Sequence, residues 1–337
     1  MPRHGWNYNN ISSVARSYQK ACVLAAAVEL DIFTLLAATP LSAEQVTGSI
    51  NGDPRAVTIL LDALASLELL EKSGNLYKTP TDVAEILTHN GPGGGLAMTQ
   101  HHANCMRRWV HLTETVLTGK PVKKEPSIRG TEGDRESFIL AMDNICGPLA
   151  PQVLDSLDDI KFSELLDVGG ASGTWTLEFL RRCPSGKATI VDLPDVLEIT
   201  RERLINEPLG EKITLFPADA LHDTLPSGFD LAWVSAVIHQ FSRLQNRQLF
   251  SNIFRSLLPG GRIMIRDIVM EESRIAPPAG ALFAVNMLTG TEAGGTYTYR
   301  EIQEDLSSAG FTNINMVLRG EGMNCVIAAE KASGIQR

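Results

Sequence analysis

A glycine-rich segment from Asp167 to Gly173, with the sequence Asp-Val-Gly-Gly-Ala-Ser-Gly, has the residue types of a ligand-binding turn. Gly169, Gly170 and Gly173 lack the side chains that would keep a ligand away from the backbone. A dinucleotide fingerprint has glycines at its first, third and sixth positions, but the third and sixth positions counted from Gly169 are alanine and threonine. The spacing therefore disfavours a pyrophosphate site, whereas Asp167 would repel phosphate and could accept a hydrogen bond from an ammonium group. A tight turn without a ligand is the alternative that this local pattern leaves open.

A second carboxylate, Asp192, follows the next apolar segment and comes 19 residues after Gly173. An acid at this position of an α/β protein can accept hydrogen bonds from both hydroxyls of a ribose. Asp167 and Asp192 together suit an amino acid joined to a nucleoside. Asp219 follows a third apolar segment, so acids come after three consecutive predicted strands.

Apolar runs alternate with helical spacing from residue 159 onward, which predicts a parallel sheet with helices on both faces. The predicted strands are 164–168, 188–191, 213–216, 231–235 and 262–265, followed by two more near 314–318 and 324–329. Ligands of such sheets bind beyond the carboxyl ends of the strands, where these acids lie. We therefore expect an α/β fold with a Rossmann-like sheet, preceded by an N-terminal, mainly helical domain.

These motifs resemble those of the S-adenosylmethionine-dependent O-methyltransferases of the plant caffeic-acid type and the bacterial small-molecule type. The resemblance covers nearly all 337 residues and is strongest from Leu165 to Asp267. It implies S-adenosylmethionine as cofactor, S-adenosylhomocysteine as product, and no metal. It also implies that Asp219 accepts a hydrogen bond from the adenine amino group, and that Leu193 and Ala220 flank the ribose and adenine. The expected cofactor-binding residues are Asp167, Gly169, Gly170, Gly173, Asp192, Leu193, Asp219, Ala220 and Ser235.

His239 follows the fourth strand and aligns with the catalytic base of this family, while Asp267 follows the fifth strand and matches the acid that flanks the base in plant members. The sulfonium methyl is already activated, so the enzyme must align an oxygen and remove its proton. A phenol has a pKa of about 10, and an imidazole with a pKa near 6.5 can take that proton, a contribution of roughly 10²- to 10⁴-fold. Asp267 would hold the imidazole in one tautomer. A histidine satisfied within the core and a solvated strand-end aspartate are the structural alternatives.

The residues expected to contact the acceptor are Met142, Asn286, Met287 and Tyr297. Met142 resembles the methionine that family members press against the substrate ring, although an ordinary core methionine is equally open. Met287 is expected to line the pocket, and Asn286 and Tyr297 to bind polar groups of the acceptor.

The chain departs from the plant pattern at three positions. Gln240 stands where plant enzymes have aspartate, Tyr297 replaces their second flanking acid, and Ser235 replaces a lysine. We therefore expect an O-methyltransferase acting on a hydroxyl of an aromatic or polyketide-like small molecule, but not the plant substrate. The alternatives are methylation at carbon or nitrogen, a relative that binds the cofactor without methyl transfer, and a winged-helix DNA-binding regulator.

Three domains are predicted: a helical winged-helix dimerisation domain over 1–118, a connection with a linking helix over 119–158, and the methyltransferase domain over 159–337. Residues 11–38 form one predicted helical region whose apolar surface exceeds one stripe, and family members are homodimers held by interlocked N-terminal helices. Further helices are expected at 96–117 and 136–157.

The segment 41–78 has the helix, helix and hairpin pattern of a winged helix, but only three basic residues against five acidic ones. A DNA-binding surface should be basic, so we expect no nucleic-acid partner. The whole chain is acidic as well, with 30 Lys and Arg against 39 Asp and Glu.

The five cysteines are scattered without a C-x-x-C pair, and no run has the length or apolarity of a membrane span or a secretory signal. These features predict a cytoplasmic protein that is not bound to a membrane. His101, His102 and His111 fall in one predicted helix, but adjacent His101 and His102 would point about 100° apart on it, so a metal site is not expected.

Overall fold

The computed structural model describes residues 5–157 and 160–333. The chain forms two compact units: unit 1 comprises Met1–Arg107 and Lys124–Asn144, and unit 2 comprises Arg108–Lys123 and Ile145–Arg337. The predicted division into three domains at residues 118 and 158 differs from this division into two units and stays a prediction.

The N-terminal half of the chain is mainly helical. Its helices are α1 (Tyr8–Arg16), α2 (Tyr18–Glu29), α3 (Ile32–Ala37), α4 (Ala43–Ile50), α5 (Pro54–Ser66), α6 (Thr81–Leu87), α7 (Gly95–Trp109), α8 (Leu112–Thr118) and α9 (Gly130–Asp155). Its strands are β1 (Leu41–Ser42), β2 (Glu71–Ser73) and β3 (Leu76–Lys78).

Two predicted helices are interrupted. The region 11–38 is three helices rather than one. Helices α1 and α2 are separated at Ser17, and α2 and α3 are separated at Asp31, whose left-handed backbone with φ of +54° ends the helical hydrogen bonding. The region 96–117 is likewise divided between α7 and α8 at residues 110–111. The linking helix α9 begins at Gly130, six residues earlier than expected.

The winged-helix pattern is confirmed. Strands β1, β3 and β2 form an antiparallel sheet in that order, beside α4 and α5. Ser42 and Gln45 form a capping box at the start of α4, and the Asp53 carboxylate caps α5 just before Pro54. The helices and β3 bury an apolar core that includes Ile32, Phe33, Leu36, Val46, Leu61, Leu64 and Tyr77.

Unit 2 contains a sheet of seven strands in the order β11-β12-β8-β7-β4-β5-β6. Its strands are β4 (Glu164–Val168), β5 (Lys187–Asp192), β6 (Ile213–Pro217), β7 (Phe229–Ser235), β8 (Leu257–Asp267), β11 (Thr312–Leu318) and β12 (Cys325–Glu330). Strands β4 to β8 are parallel, as predicted, but β11 and β12 are antiparallel to their neighbours, so the sheet is mixed. Two short strands, β9 (Val269–Met270) and β10 (Tyr297–Thr298), pair separately.

Helices cover both faces of this sheet. They include α10 (Thr174–Arg182), α11 (Pro194–Leu204), α12 (Arg243–Ser256) and α14 (Tyr299–Ser308), whereas α13 (Pro278–Gly290) packs on α8 and β9. Because side chains alternate along a strand, Leu231 and Trp233 of β7 pack with residues of α9 and α10, while Ala232 and Val234 pack with residues of α12 and α14. The two cores hold the sheet rigid and bring the ends of β4, β5, β6, β7 and β8 to one edge.

Candidate functional site

The predicted glycine turn lies at the carboxyl end of β4 and is built for a close backbone approach. Gly169 has φ of +71°, and a Cβ atom there would lie 2.7 Å from Val237 Cγ2. A Cβ atom at Gly170 would lie 2.8 Å from Asp167 Cγ, so that only glycine leaves the carboxylate its place. Gly173 has φ of +75° and precedes the first turn of α10. Gly169 and Gly173 are therefore favoured by their left-handed backbone, and Gly170 is required by the side chains packed against it.

Two residues that sequence reasoning missed fix this turn from α11. Thr200 Oγ1 donates to the carbonyl of Ala171 over 2.5 Å, and an Arg203 guanidinium nitrogen donates to the carbonyl of Ser172 over 2.6 Å. The N–H of Ala171 donates in turn to Asp192 Oδ2 over 2.9 Å. No pattern in the sequence marks these contacts, because they join residues about 30 positions apart.

Asp167 is buried beneath the turn, with only 1% of its surface exposed. Its Oδ2 accepts a hydrogen bond of 2.6 Å from Thr176 Oγ1. Burial raises the pKa of the carboxyl to about 7, the Thr176 hydrogen bond lowers it, and the charge of Asp192 raises it further. Within the described residues Asp167 forms no ion pair, so no cationic side chain there balances its charge.

Asp192 ends β5 with both carboxylate oxygens already bonded to the backbone. Oδ2 accepts from the Ala171 N–H, and Oδ1 accepts from the Leu193 N–H over 2.8 Å. Burial raises the pKa of this carboxyl, against the effect of the two hydrogen bonds. Each carboxylate oxygen has a further lone pair, which is what two ribose hydroxyls would require.

Asp219 follows β6 at the same edge of the sheet, but its carboxylate has local partners. Oδ2 bonds the Nδ1 atom of the exposed His222 over 2.8 Å, and Oδ1 accepts from the Leu221 N–H over 2.9 Å. Burial raises the pKa of Asp219, but these partners outweigh it and the net pKa is lowered. Leu193 is 47% exposed and Ala220 is half-buried, so both remain accessible beside the acids.

Ser235 ends β7, next to the glycine turn, and its hydroxyl accepts a hydrogen bond of 3.1 Å from Arg266. Arg266 lies on β8 directly across the sheet from Ser235 and is 3% exposed. A cationic side chain thus lies beside the position where plant relatives carry lysine. This side chain comes from the neighbouring strand β8, which sequence reasoning did not anticipate.

His239 and Asp267 form a buried pair at the ends of β7 and β8. The Nδ1 atom of His239 lies 3.0 Å from both carboxylate oxygens of Asp267, and the two residues are 6% and 2% exposed. Asp267 Oδ1 also accepts the Ile268 N–H over 2.8 Å. Of the two neutral tautomers of His239, this contact favours the one with hydrogen on Nδ1 and a lone pair on Nε2. Within the described part of unit 2, Nε2 has no hydrogen-bond partner.

The histidine is held by its backbone as well as by Asp267. Residues 238–240 form one turn of 3₁₀ helix after Ala236, whose φ is +57°. Asn246 Nδ2 donates to the carbonyl of Ile238 over 2.9 Å, and Gly295 donates its N–H to the carbonyl of His239 over 2.9 Å. A Cβ atom at Gly294 would lie 2.4 Å from that same carbonyl. The His239 ring is therefore positioned by several independent contacts.

Three of the four residues expected to contact the acceptor lie in unit 2. Two of them, Asn286 and Tyr297, already form side-chain hydrogen bonds within the protein. Asn286 Oδ1 accepts from Trp109 Nε1 over 3.0 Å, which leaves its amide nitrogen. The Tyr297 hydroxyl donates to the carbonyl of Phe241, and burial raises its pKa to about 12. Met287 is buried on α13, whereas Met142 is half-buried in unit 1 on α9.

Phe283 is a residue of the site that the sequence did not reveal. Its ring meets the His239 ring edge to face, with centroids 4.9 Å apart and planes at 88°. It lies one helical turn before Met287 on α13, so both project from one face of the helix. An apolar wall thus stands against the imidazole.

Residues 5–157 and 160–333 contain no group of three or more His, Cys, Asp or Glu side chains that could hold a metal ion. In the same residues, no helix combines the length and the apolarity needed to cross a bilayer.

The site combines an open α/β sheet with a glycine turn after β4, an acid at the end of β5 and a buried histidine after β7. These features are those of a methyltransferase-type site. A family model of the O-methyltransferase domain matches residues 109–312, and one of the O-methyltransferase dimerisation domain matches residues 13–90. The chain belongs to the O-methyltransferase family and is an enzyme of that class. The predicted family, fold class and enzyme class are confirmed.

Relatives of known name match over nearly the full length. The chain is 31% identical to 3-hydroxy-5-methyl-1-naphthoate 3-O-methyltransferase of Streptomyces sahachiroi, covering 96% of this chain and 95% of the relative. It is 30% identical to the tetracenomycin polyketide synthesis 8-O-methyl transferase TcmO of Streptomyces glaucescens, covering 90% and 91%. The human N-acetylserotonin methyltransferase, solved with S-adenosylmethionine, superposes with a TM-score of 0.80 at 26% identity, covering 98% of this chain and 99% of that one.

Proposed function

We propose that this enzyme transfers a methyl group from S-adenosylmethionine to a hydroxyl of an aromatic or polyketide-like small molecule, with His239 as general base. The observation that carries the proposal is the buried His239–Asp267 pair, because its geometry leaves one basic nitrogen on the imidazole. The expected product of the cofactor is S-adenosylhomocysteine.

The residues at the cofactor end fit an amino acid joined to a nucleoside. Asp167 is a buried carboxyl with a pKa of about 7 and only a hydroxyl as partner, so an ammonium group would supply its missing counter-charge. Asp192 has lone pairs for a ribose, and its hydrogen bond from the Ala171 N–H places it beside the glycine turn. When bound, S-adenosylmethionine supplies a methyl group activated by the positive charge on sulfur.

His239 supplies the proton acceptor. With hydrogen on Nδ1 fixed by Asp267, the Nε2 lone pair takes the proton of the acceptor hydroxyl, and the imidazolium that forms is stabilised by the Asp267 carboxylate. A phenol with a pKa of about 10 is mostly protonated at pH 7. The base is therefore needed most for ordinary phenols.

Two observations favour an aromatic acceptor. The Phe283 ring stands edge to face against His239, and Met287 lies one turn further along the same helix face. Of the two Streptomyces relatives, one is named for 3-O-methylation of a hydroxynaphthoate and the other as an 8-O-methyl transferase of tetracenomycin polyketide synthesis. Asn286 and Tyr297 are further proposed acceptor contacts, with the Asn286 amide nitrogen and the Tyr297 oxygen as the polar atoms still available. For Met142, which belongs to unit 1, contact with the acceptor stays a prediction.

The chain is further proposed to act as a homodimer. Four large apolar side chains of α1 and the start of α2 are exposed, with Tyr8 at 83%, Ile11 at 56%, Val14 at 61% and Tyr18 at 58%. The dimerisation-domain model covers this part of the chain from residue 13. Burial of that surface by a second copy is the expected reason for its apolarity. The absence of nucleic-acid and membrane partners and a cytoplasmic location stay predictions.

The proposal is tested with methyl-labelled S-adenosylmethionine and a panel of hydroxynaphthoates, polyketide phenols and N-acetylserotonin. We expect methyl transfer to oxygen in the wild type and a loss of roughly 10²- to 10⁴-fold in the His239→Gln variant. His111→Gln, at an exposed histidine of unit 2, is the matched control and should keep full activity. Label recovered on carbon or nitrogen, or no transfer to any hydroxyl, would contradict the proposal.

A further inference from the structure

Arg266 is a buried cation that bonds to no carboxylate in the described structure, although burial lowers its pKa and the charge of the adjacent Asp267 opposes that lowering. Its side chain is 3% exposed, and each of its hydrogen-bond acceptors is neutral: Asn324 Oδ1 accepts from Nε over 3.1 Å and from a terminal nitrogen over 2.6 Å, and Ser235 Oγ accepts over 3.1 Å. Among the residues that the structure describes, no ion pair involves Arg266. Burying an arginine without a counter-charge is costly, although the group keeps its charge.

The guanidinium lies at the cofactor end of the sheet. Its central carbon is 4.7 Å from the ring centre of Trp175, the second residue of α10 and therefore next to the glycine turn. Ser235, its hydroxyl partner, follows Val234, which pairs with Val168 at the end of β4. Arg266 thus reaches from β8 to the immediate surroundings of Gly169.

Two further donors in this region have no acceptor. The indole nitrogens of Trp175 and Trp233 are buried without a hydrogen-bond partner in the described structure, and the two rings lie 5.1 Å apart. The two residues are 5% and 0% exposed. Trp233 pairs across the sheet with Asp167, so the unpaired donors lie between the buried acid and the buried guanidinium. A buried unpaired N–H is unfavourable, so an acceptor entering here would be bound well.

We propose that Arg266 binds the carboxylate of the amino-acid part of S-adenosylmethionine, opposite the ammonium group bound by Asp167. This inference rests on the proposed function, and it adds a cofactor-binding residue outside the predicted set. Asp167 and Arg266 lie two strands apart, or about 10 Å between strand axes, which a long arginine side chain can largely bridge. A zwitterion placed between them would neutralise both buried groups at once.

The test compares the affinities of two probes by calorimetry: S-adenosylhomocysteine and its decarboxylated analogue, 5′-(3-aminopropylthio)-5′-deoxyadenosine. The analogue keeps the ammonium and the nucleoside but lacks the carboxylate. We expect the wild type to bind S-adenosylhomocysteine roughly 10- to 100-fold more tightly than the analogue, the range expected for a hydrogen bond to a charged group. Equal affinities in the wild type would overturn the inference without any variant.

Arg266→Met should remove this preference by weakening only the carboxylate-bearing probe, and Arg266→Lys, which keeps a charge, should keep part of it. Arg300→Met, at an exposed guanidinium of α14, is the control and should change neither affinity. If Arg266→Met weakens both probes equally, the residue has only a structural role and the inference is wrong. A wild type that binds neither probe would instead contradict the proposed function.

Discussion

Asp167 and Asp267 are both aspartates at the carboxyl end of a central strand, and both are almost fully buried, at 1% and 2% exposure. They differ in their partners. Asp267 faces the imidazole of His239 and accepts a backbone N–H, whereas Asp167 has the hydroxyl of Thr176. Asp267 is thus supplied with its partner by the fold, and Asp167 is not.

This difference shows that the roles of the two carboxyls depend on their bonding partners rather than on their burial. Asp267 acts on a residue of the protein, by orienting the base and stabilising its protonated form. Asp167, whose pKa burial raises to about 7, is poised to receive a cation from outside. Removing each carboxylate should therefore impair a different property, the rate in one case and the affinity in the other.

The largest effect is expected for Asp267→Asn. An amide can accept from Nδ1–H through its oxygen but cannot stabilise the imidazolium by charge. We therefore expect kcat to fall, by up to the roughly 10²- to 10⁴-fold expected for removal of the base itself. Steady-state kinetics with a phenolic acceptor measures it. Calorimetry should find the affinity for S-adenosylhomocysteine unchanged. An Asp267→Asn enzyme with normal kcat would remove this residue from the chemistry.

Asp167→Asn should affect binding instead. Because a bound ammonium favours the ionised carboxylate, S-adenosylhomocysteine binding below pH 7 must release a proton, and affinity should rise with pH by up to about tenfold per unit until pH 7. Above pH 7 the carboxyl is already ionised and the affinity levels off.

In the Asp167→Asn variant this pH dependence should disappear, and the affinity at pH 8 should be roughly 10- to 100-fold lower. Titrations in buffers of different ionisation enthalpy count the protons released. The same pH profile in wild type and variant would show that another group is responsible.

The same carboxyl should make folding stability depend on pH. Its folded pKa of about 7 lies above the unfolded value of about 3.9, so between these pH values the folded state holds the extra proton. Its contribution favours folding at low pH and is lost as pH rises to 7, by up to about 1.4 kcal/mol per pH unit. Urea unfolding between pH 4.5 and 7 should show that the free energy of unfolding of the Asp167→Asn variant increases relative to that of the wild type as the pH rises. Parallel curves would mean that burial does not shift this group.

The smallest effect is expected at Thr200, which holds the glycine turn through the carbonyl of Ala171. Thr200→Val keeps the shape and removes one hydrogen bond, worth about 0.5 to 1.5 kcal/mol, so cofactor affinity should fall roughly two- to tenfold. Fluorescence titration measures this change, and kcat at saturating cofactor should remain normal. A loss as large as that of Asp167→Asn would mean that the turn itself collapses.

Much of the fold could be predicted because local patterns carry it. The five parallel strands, the winged-helix hairpin and the glycine turn all follow from apolar runs, caps and turn residues within short segments. The break at Asp31 escaped prediction, because aspartate adopts a left-handed backbone only where the surrounding structure requires it. The antiparallel edge of the sheet depends on how its last strands pair, which spacing alone does not encode.

The site divides in the same way. His239, Asp267, Asp167 and Asp192 could be predicted because each lies at or just beyond the carboxyl end of a strand, and parallel strands end at one edge. Contacts made across the fold could not: Phe283 meets His239 from α13, and Arg266 reaches Ser235 from the next strand. The internal partners of Tyr297 and Asn286 were missed for the same reason.

The central claim is that His239 removes the proton of the acceptor, and one comparison tests it most directly. The rates of wild type and His239→Gln are measured at pH 7 with two matched phenols, one with an ordinary pKa of about 10 and one acidic enough to be ionised already. We expect the variant to lose roughly 10²- to 10⁴-fold with the first phenol and far less with the second, which needs no base. Equal losses with both phenols, or a full rate with the ordinary phenol, would contradict the account.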